Sequence, residues 1–189
     1  MRHIVKPALS LFFISALAAV SLGVIHNVTR DPIAERRWAI QERMLRDIFA
    51  DANFNEIYTR APGAAGRLVI ERVFEGLNDD GQAVGYVLEL TSAGYGGPIN
   101  LLVGISSVEN TIAGVRILRH GETPGFGAVI VRENFFRRFE GRGLIPLVRV
   151  NRSEAGDNEF QAITSSTITT DAVVAAVNKA IEWYNRSGR

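Results

Sequence analysis

The segment from Pro7 to Ile25, PALSLFFISALAAVSLGVI, runs nineteen residues without a charged side chain. Few features constrain a chain more. A stretch this apolar must be buried in protein, cleaved away or placed in lipid. As an α-helix it would be roughly 28 Å long, against about 30 Å for the hydrocarbon core of a bilayer. Arg2, Lys6 and the α-amino group precede it. Basic flanks stay on the cytoplasmic side, so the expected orientation is N-terminus inside and the rest of the chain across the membrane. A cleaved signal peptide is the competing reading, because Ala16 and Ala18 bracket a small-residue cleavage pattern. The apolar run continues for seven residues past that point with no polar stretch around the cut, which favours a retained anchor.

Charge narrows the exported part. All twenty acidic residues lie beyond the anchor, facing nineteen basic ones, which leaves a net charge of −1 there. That balance lacks the basic footprint of a nucleic-acid binder. Cysteine is absent, which removes disulfides, Fe–S clusters and thiol chemistry. The three histidines (His3, His26, His120) have no zinc-ligand spacing, so no metal site is expected.

Asp31 and Pro32 read as a helix start, with a carboxylate able to cap free N–H groups and a proline whose missing N–H costs nothing in the first turn. Ile33, Trp38, Met44, Leu45, Ile48 and Phe49 then fall at mixed three- and four-residue steps, which predicts a stalk helix with an apolar stripe. Four strand candidates follow. Arg67 to Phe74 and Ala83 to Leu90 flank the turn-rich EGLNDDGQ; Pro98 to Ile105 and Thr111 to Leu118 flank the polar SSVEN. VRENFFRRFEGRG predicts a short helix burying Phe135, Phe136 and Phe139, its four arginines forming a solvated face. LIPLVRV predicts a last strand, and DAVVAAVNKAIEWYNRS a helix with Val174, Val177, Ile181 and Tyr184 in register. Strands followed by helices without βαβ alternation predict an α+β fold with an antiparallel sheet. The expected organisation is 1–30 cytoplasmic N-terminus and transmembrane anchor, 31–60 stalk helix and linker, and 61–189 a single domain.

Two stretches can carry chemistry. Thr164 to Thr170 holds six hydroxyl side chains in seven positions, just before the last helix. Thr169 or Thr170 can cap that helix, which accounts for one hydroxyl and leaves five. A helix N-terminus also attracts phosphate through its free N–H groups and dipole. No GxxxxGK[ST] is present, so a nucleotide-hydrolysing P-loop is not supported. The second stretch is RHGETPGFG, Arg119 to Gly127. Gly125 and Gly127 allow backbone to approach a ligand closely, Pro124 stiffens the turn, and His120 and Glu122 place a base and an acid at its entrance.

Together these stretches resemble the FMN-binding domain of membrane redox complexes: the G-type subunit of Rnf-type ferredoxin:NAD oxidoreductases and the C-type subunit of sodium-pumping NADH:quinone reductases. The family's marks are H-x-E-T-P-G-[LF]-G and [ST]-G-A-T-x-[ST], and the threonine closing G-A-T bears FMN through a phosphoester bond. The first mark is met in full from His120 to Gly127. The second aligns as TSSTIT, with Thr164 opening, Thr167 at the flavinylated position and Thr169 closing; Ser165 and Ser166 stand where the family has Gly and Ala. Chain length favours the G-type subunit of the Rnf complexes.

The resemblance implies covalent FMN on Thr167, with Thr164, Ser165, Ser166 and Thr169 around the phosphate. Against the ring or phosphate it puts Thr123, Pro124, Gly125 and Gly127, with Tyr95 of GYGG able to stack. For His120 and Glu122, ligand contact and loop-stabilising hydrogen bonds both stay open. It implies no acid–base catalyst of the chain's own: the flavin carries electrons between neighbouring subunits, after a flavin transferase has installed it. The implied location is the bacterial cytoplasmic membrane, crossed once, with the FMN domain on the periplasmic side. A flavin-free structural subunit and a tethered FMN-binding regulatory module are the alternatives.

Overall fold

A computed structural model describes residues 2–60, 66–151, 156–164 and 166–187 of the protein. Its first element, α1 (Arg2–Ile48), carries the anchor and stalk as one uninterrupted helix. Asp31 and Pro32 therefore do not start a new helix. Pro32 removes one backbone donor, a cost of about 3 kcal/mol. The Ala, Glu, Arg and Gln that follow it are strong helix formers, and they carry the helix through. Within α1, Val5–His26 has a mean hydropathy of 2.4 and is wholly unburied. Leu11, Phe12, Phe13, Ile14, Leu17 and Leu22 are each more than 60% exposed. An apolar surface of that extent is long enough to span a bilayer.

The chain forms two compact units, Met1–Glu42 and Arg43–Arg189. In the second, five strands run β1 (Asn53–Thr59), β2 (Leu68–Leu77), β3 (Ala83–Ala93), β4 (Pro98–Ser106) and β5 (Thr111–Arg119). They pair in chain order as an antiparallel meander. Strands β2 to β5 lie where the apolar runs between turn-forming segments put them. β1 instead occupies residues expected to be linker. Its register shifts between Glu56 and Tyr58; Phe54 packs on one face of the sheet and Ile57, three residues on, packs on the other. That bulge breaks the two-residue period by which a strand is recognised.

The last helix, α3 (Thr167–Ser187), lies across β3 and β4. Val173, Val177, Ala180 and Ile181 meet Leu88, Leu90, Leu101, Val103 and Ile105, each nearly or wholly buried. Full burial of such side chains stabilises by about 1.5–3 kcal/mol each. On the opposite face Leu45 of α1 packs with Phe74, Val87 and Leu102. The sheet is thus covered on both sides.

A small lobe closes one end. It comprises α2 (Glu133–Phe136), a 3-10 turn at Arg137–Phe139, and two three-residue parallel strands, β6 (Val148–Val150) and β7 (Glu159–Gln161). Phe139 stacks on Phe160 at 4.1 Å between centroids. The arginines here are not all solvated. Arg138 lies over Phe160 at 4.1 Å and donates to the Gln161 carbonyl, while Arg142 donates to the carbonyls of Arg138, Asp157 and Glu159. Burial, with the charge of Arg142, pulls the Arg138 guanidinium below the ordinary arginine value. Asn178 of α3 brackets Leu147 in both directions, accepting from its N–H at 2.7 Å and donating to its carbonyl at 2.9 Å.

Candidate functional site

Glu122, in the loop after β5, is buried at 6% exposure, and its carboxyl group joins three segments distant in sequence. Oε1 accepts from the Gly96 N–H at 3.0 Å, in the glycine-rich loop between β3 and β4. Oε2 accepts from Thr169 Oγ1 at 2.6 Å, in the first turn of α3. Its own N–H donates to His120 Nδ1 at 3.2 Å. The loop-stabilising reading of His120 and Glu122 therefore describes bonds that are made.

The glycines nearby serve this carboxyl group. A Cβ on Gly94 would stand 2.2 Å from Glu122 Oε1, and one on Gly127 would stand 2.1 Å from Oε2 and 2.8 Å from Thr169 Oγ1. Neither is a contact real atoms sustain. At Gly127 the room left by the missing Cβ holds Glu122 Oε2 and Thr169 Oγ1. Gly125 is required for another reason: its φ of +83° is the left-handed conformation that side chains rarely adopt, and it has open space around it.

α3 begins at Thr167 rather than near Asp171. The Ser166 carbonyl accepts both the Thr170 N–H at 2.9 Å and the Thr170 hydroxyl at 3.0 Å, and Thr170 Oγ1 accepts from the Ile163 N–H at 3.1 Å. A hydroxyl bonding back to the preceding turn thus helps start the helix that a run of β-branched residues would otherwise disfavour. Thr169 and Thr170 are interior helical residues, not caps. Asp171 pairs with Arg149.

Between these segments lies a cavity of about 600 Å³, lined by Tyr95, Glu122, Thr123, Phe126, Gly127, Ser166, Thr167, Ile168 and Thr169. The two sequence motifs and the glycine-rich loop thus meet at one place. His120, Pro124, Gly125 and Thr164 are outside the lining, and Ser165 is outside the described residues. Phe126 and Ile168 join the lining without having stood out in the sequence. The available signal was an apolar side chain inside each otherwise polar or glycine-rich motif. Tyr95, Phe126 and Ile168 are 74%, 57% and 54% exposed, so one part of the cavity is a set of uncovered apolar side chains. The first turn of α3, which carries Ile168, also lines the cavity, and its N–H groups have no partner inside the helix. Buried there, Ser166 Oγ has no hydrogen-bond partner among the described residues. The volume lies within the range of cofactor pockets. Apolar side chains together with neutral donors suit a flat aromatic ring joined to an anionic group.

Comparison with known proteins agrees. The FMN-binding domain family matches residues 94–182, a span containing every lining residue. The G-type subunit of the ion-translocating oxidoreductase complex of Methanosarcina acetivorans is 30% identical over 185 residues, covering 97% of this chain and 96% of the relative. The G-type subunit of the Na(+)-translocating ferredoxin:NAD(+) oxidoreductase complex of Acetobacterium woodii is 32% identical over 193 residues, covering 97% and 92%. Among solved structures, the C-type subunit of the Na(+)-translocating NADH-quinone reductase of Parabacteroides distasonis superposes with a TM-score of 0.50 at 31% identity. The match spans 60% of each chain.

Proposed function

The chain belongs to the FMN-binding domain family, among the G-type subunits of ion-translocating oxidoreductase complexes, and from that premise we propose that it is the electron-carrying subunit of a membrane-bound ferredoxin:NAD oxidoreductase, holding FMN through a phosphoester to Thr167. The observation that carries this reading is the state of the hydroxyls around the cavity. Thr169 and Thr170 are 1% and 0% exposed and their hydroxyls are already bonded. Ser166 is buried, and Thr164 is exposed but outside the lining. Thr167 is exposed and lines the cavity. Only an accessible oxygen can be esterified, which supports Thr167 over the other described hydroxyls of the run 164–170; Thr123 is likewise exposed and in the lining, but it does not stand in the first turn of α3.

Bound FMN supplies the redox chemistry; the chain contributes position and surroundings. The α3 N-terminus offsets the charge of a phosphate. Tyr95, Phe126 and Ile168 offer apolar cover to a ring. Glu122 and Thr169 hold the walls together. Thr167 Oγ1 would hold the phosphate of FMN as an ester, installed by phosphoryl transfer from an activated flavin nucleotide. A flavin transferase is the partner for that step, and other subunits of the complex are the electron donor and acceptor. Arg2 and Lys6, ahead of the uncharged run from Pro7 to Ile25, support an N-terminus in the cytoplasm, one crossing through lipid, and a flavin domain on the extracytoplasmic side.

Ser165 and Ser166, in place of the smaller pair in the motif, favour a second reading, a flavin-free subunit of the same complex. Flavin fluorescence in a denaturing gel separates the two. Protein made alongside its transferase is expected to retain flavin, and Thr167→Ala to lose it. A colourless wild-type band leaves the structural subunit.

A further inference from the structure

The solvated arginine face expected of VRENFFRRFEGRG divides in two. Arg132 and Arg137 are exposed, whereas Arg138 and Arg142 are half-buried. These two cover the edge of β7 by donating to the carbonyls of Asp157, Glu159 and Gln161. That task uses only part of what they carry, since a guanidinium has five N–H donors. Arg138 Nε and Nη1 and Arg142 Nη2 donate to nothing among the described residues, and every acceptor the pair does meet is a neutral carbonyl. Carboxylates of the lobe are engaged elsewhere: Glu133 pairs with Arg137, Glu140 with Arg116, and Glu159 accepts from the Gly156 N–H. Phe139 stacks on one face of the Phe160 ring, and the guanidiniums of Arg138 and Arg142 lie 4.1 and 5.9 Å from its centroid. Two like charges are thus held close together, half-desolvated, with no opposite charge beside them among the described residues. Desolvation, then the charge of Arg142, lowers the Arg138 value for the same reason.

We propose that Arg138 and Arg142 form a docking site for a carboxylate side chain of a neighbouring protein subunit. A carboxylate supplies the missing charge and accepts two parallel bonds from a planar guanidinium. Stacking on Phe160 holds the Arg138 fork in place beforehand, so little freedom is lost on pairing. The same lobe leaves Ile145 and Val148 exposed, at 52% and 55%. Arginine beside uncovered apolar side chains is the composition of a protein–protein interface, and a free phosphate would leave those side chains uncovered. The position also suits electron transfer. Gln161, whose carbonyl Arg138 holds, is six residues before Thr167, at most roughly 22 Å of extended chain. A subunit seated on the arginines therefore stands close to the turn that carries Thr167. The inference rests on reading the chain as a subunit of a redox complex and not on the Thr167 bond.

The test uses the intact complex, purified in detergent through a tag on the full-length chain. Arg138→Lys and Arg142→Lys keep the charge and supply an amine that a water-soluble carbodiimide joins to a carboxylate in contact with it. Peptide mass spectrometry should then find, in at least one variant, an amide link from position 138 or 142 to an Asp or Glu of another subunit. Arg138→Gln should leave the complex at a lower NaCl concentration than wild type, because the pairing it removes is electrostatic, while its flavin content stays unchanged. A merely structural role for Arg138 would lower the melting temperature of the separated chain and leave that salt threshold where it was. The absence of an inter-subunit link in both lysine variants overturns the proposal, as does a link confined to this chain or an unshifted salt threshold in Arg138→Gln. Turnover lost on moving the wild-type complex from phosphatidylglycerol to phosphatidylcholine nanodiscs, with no link formed, assigns the site to a lipid headgroup and overturns it too. Failure of the underlying reading is seen separately, as a tagged wild-type chain that purifies without other subunits.

Discussion

Replacing Glu122 by alanine should loosen the cavity at its most connected point. The carboxyl group accepts one bond from Gly96 and one from Thr169. Gly96 is exposed, so its N–H can turn to water, and that net loss is about 1 kcal/mol. Thr169 is 1% exposed. Its hydroxyl is left buried and unpaired, at about 1–3 kcal/mol. Together the loss is roughly 2–4 kcal/mol, a large part of the 5–15 kcal/mol by which domains are ordinarily stable. At about 2–4 °C per kcal/mol for a chain of this size, the melting temperature should fall by roughly 4–16 °C. Glutamine keeps the volume. Its oxygen can still accept one bond, and its amide can donate to the Thr169 oxygen once that hydroxyl reverses. Glu122→Gln should therefore lose about 1 kcal/mol or less. The assay is a circular-dichroism melt of flavin-free, full-length protein in detergent. An alanine variant melting within about 2 °C of wild type would refute the clasp, and a glutamine variant as unstable as alanine would show that the amide does not replace the second acceptor as argued.

The glycines around that carboxyl group separate in a similar way. Gly127→Ala places a Cβ 2.1 Å from Glu122 Oε2 and should destabilise by about 1–3 kcal/mol through overpacking; Gly125→Ala meets open space and should lose only about 1 kcal/mol from its positive φ, as denaturant melts of both variants would reveal. Tyr95→Ala and Phe126→Ala remove side chains 74% and 57% exposed, so each should shift stability by about 0.5 kcal/mol or less. In flavin-loaded protein both should raise flavin fluorescence by withdrawing an aromatic neighbour, and unchanged fluorescence would count against the ring lying there.

What could be read from residues alone was the part governed by local pattern. Strands β2 to β5 are apolar-rich runs between turn-forming segments, and Pro7 to Ile25 carries no charged side chain. β1 was hidden by the bulge at Ile57, and the start of α3 by a threonine run that looks like a loop until Thr170 bonds back to Ser166. Pro32 looked like a boundary because one missing N–H is visible in sequence, whereas the propensity of its neighbours acts over many residues. Glu122 shows the limit most clearly. Its type and its motif are legible, but its partners lie 26 and 47 residues away. Only the folded sheet and helix bring them within reach, and only then do Gly94 and Gly127 acquire their reason.

Thr167 is the residue on which the electron carrier depends, and its covalent state can be read directly. Protein isolated from cells that contain the flavin transferase is digested with trypsin, and the peptide spanning 153–179 is fragmented in a mass spectrometer. An added FMN mass localised to Thr167 is the expected result. An unmodified peptide, or flavin on Thr164, Ser166 or Thr169, would contradict the assignment.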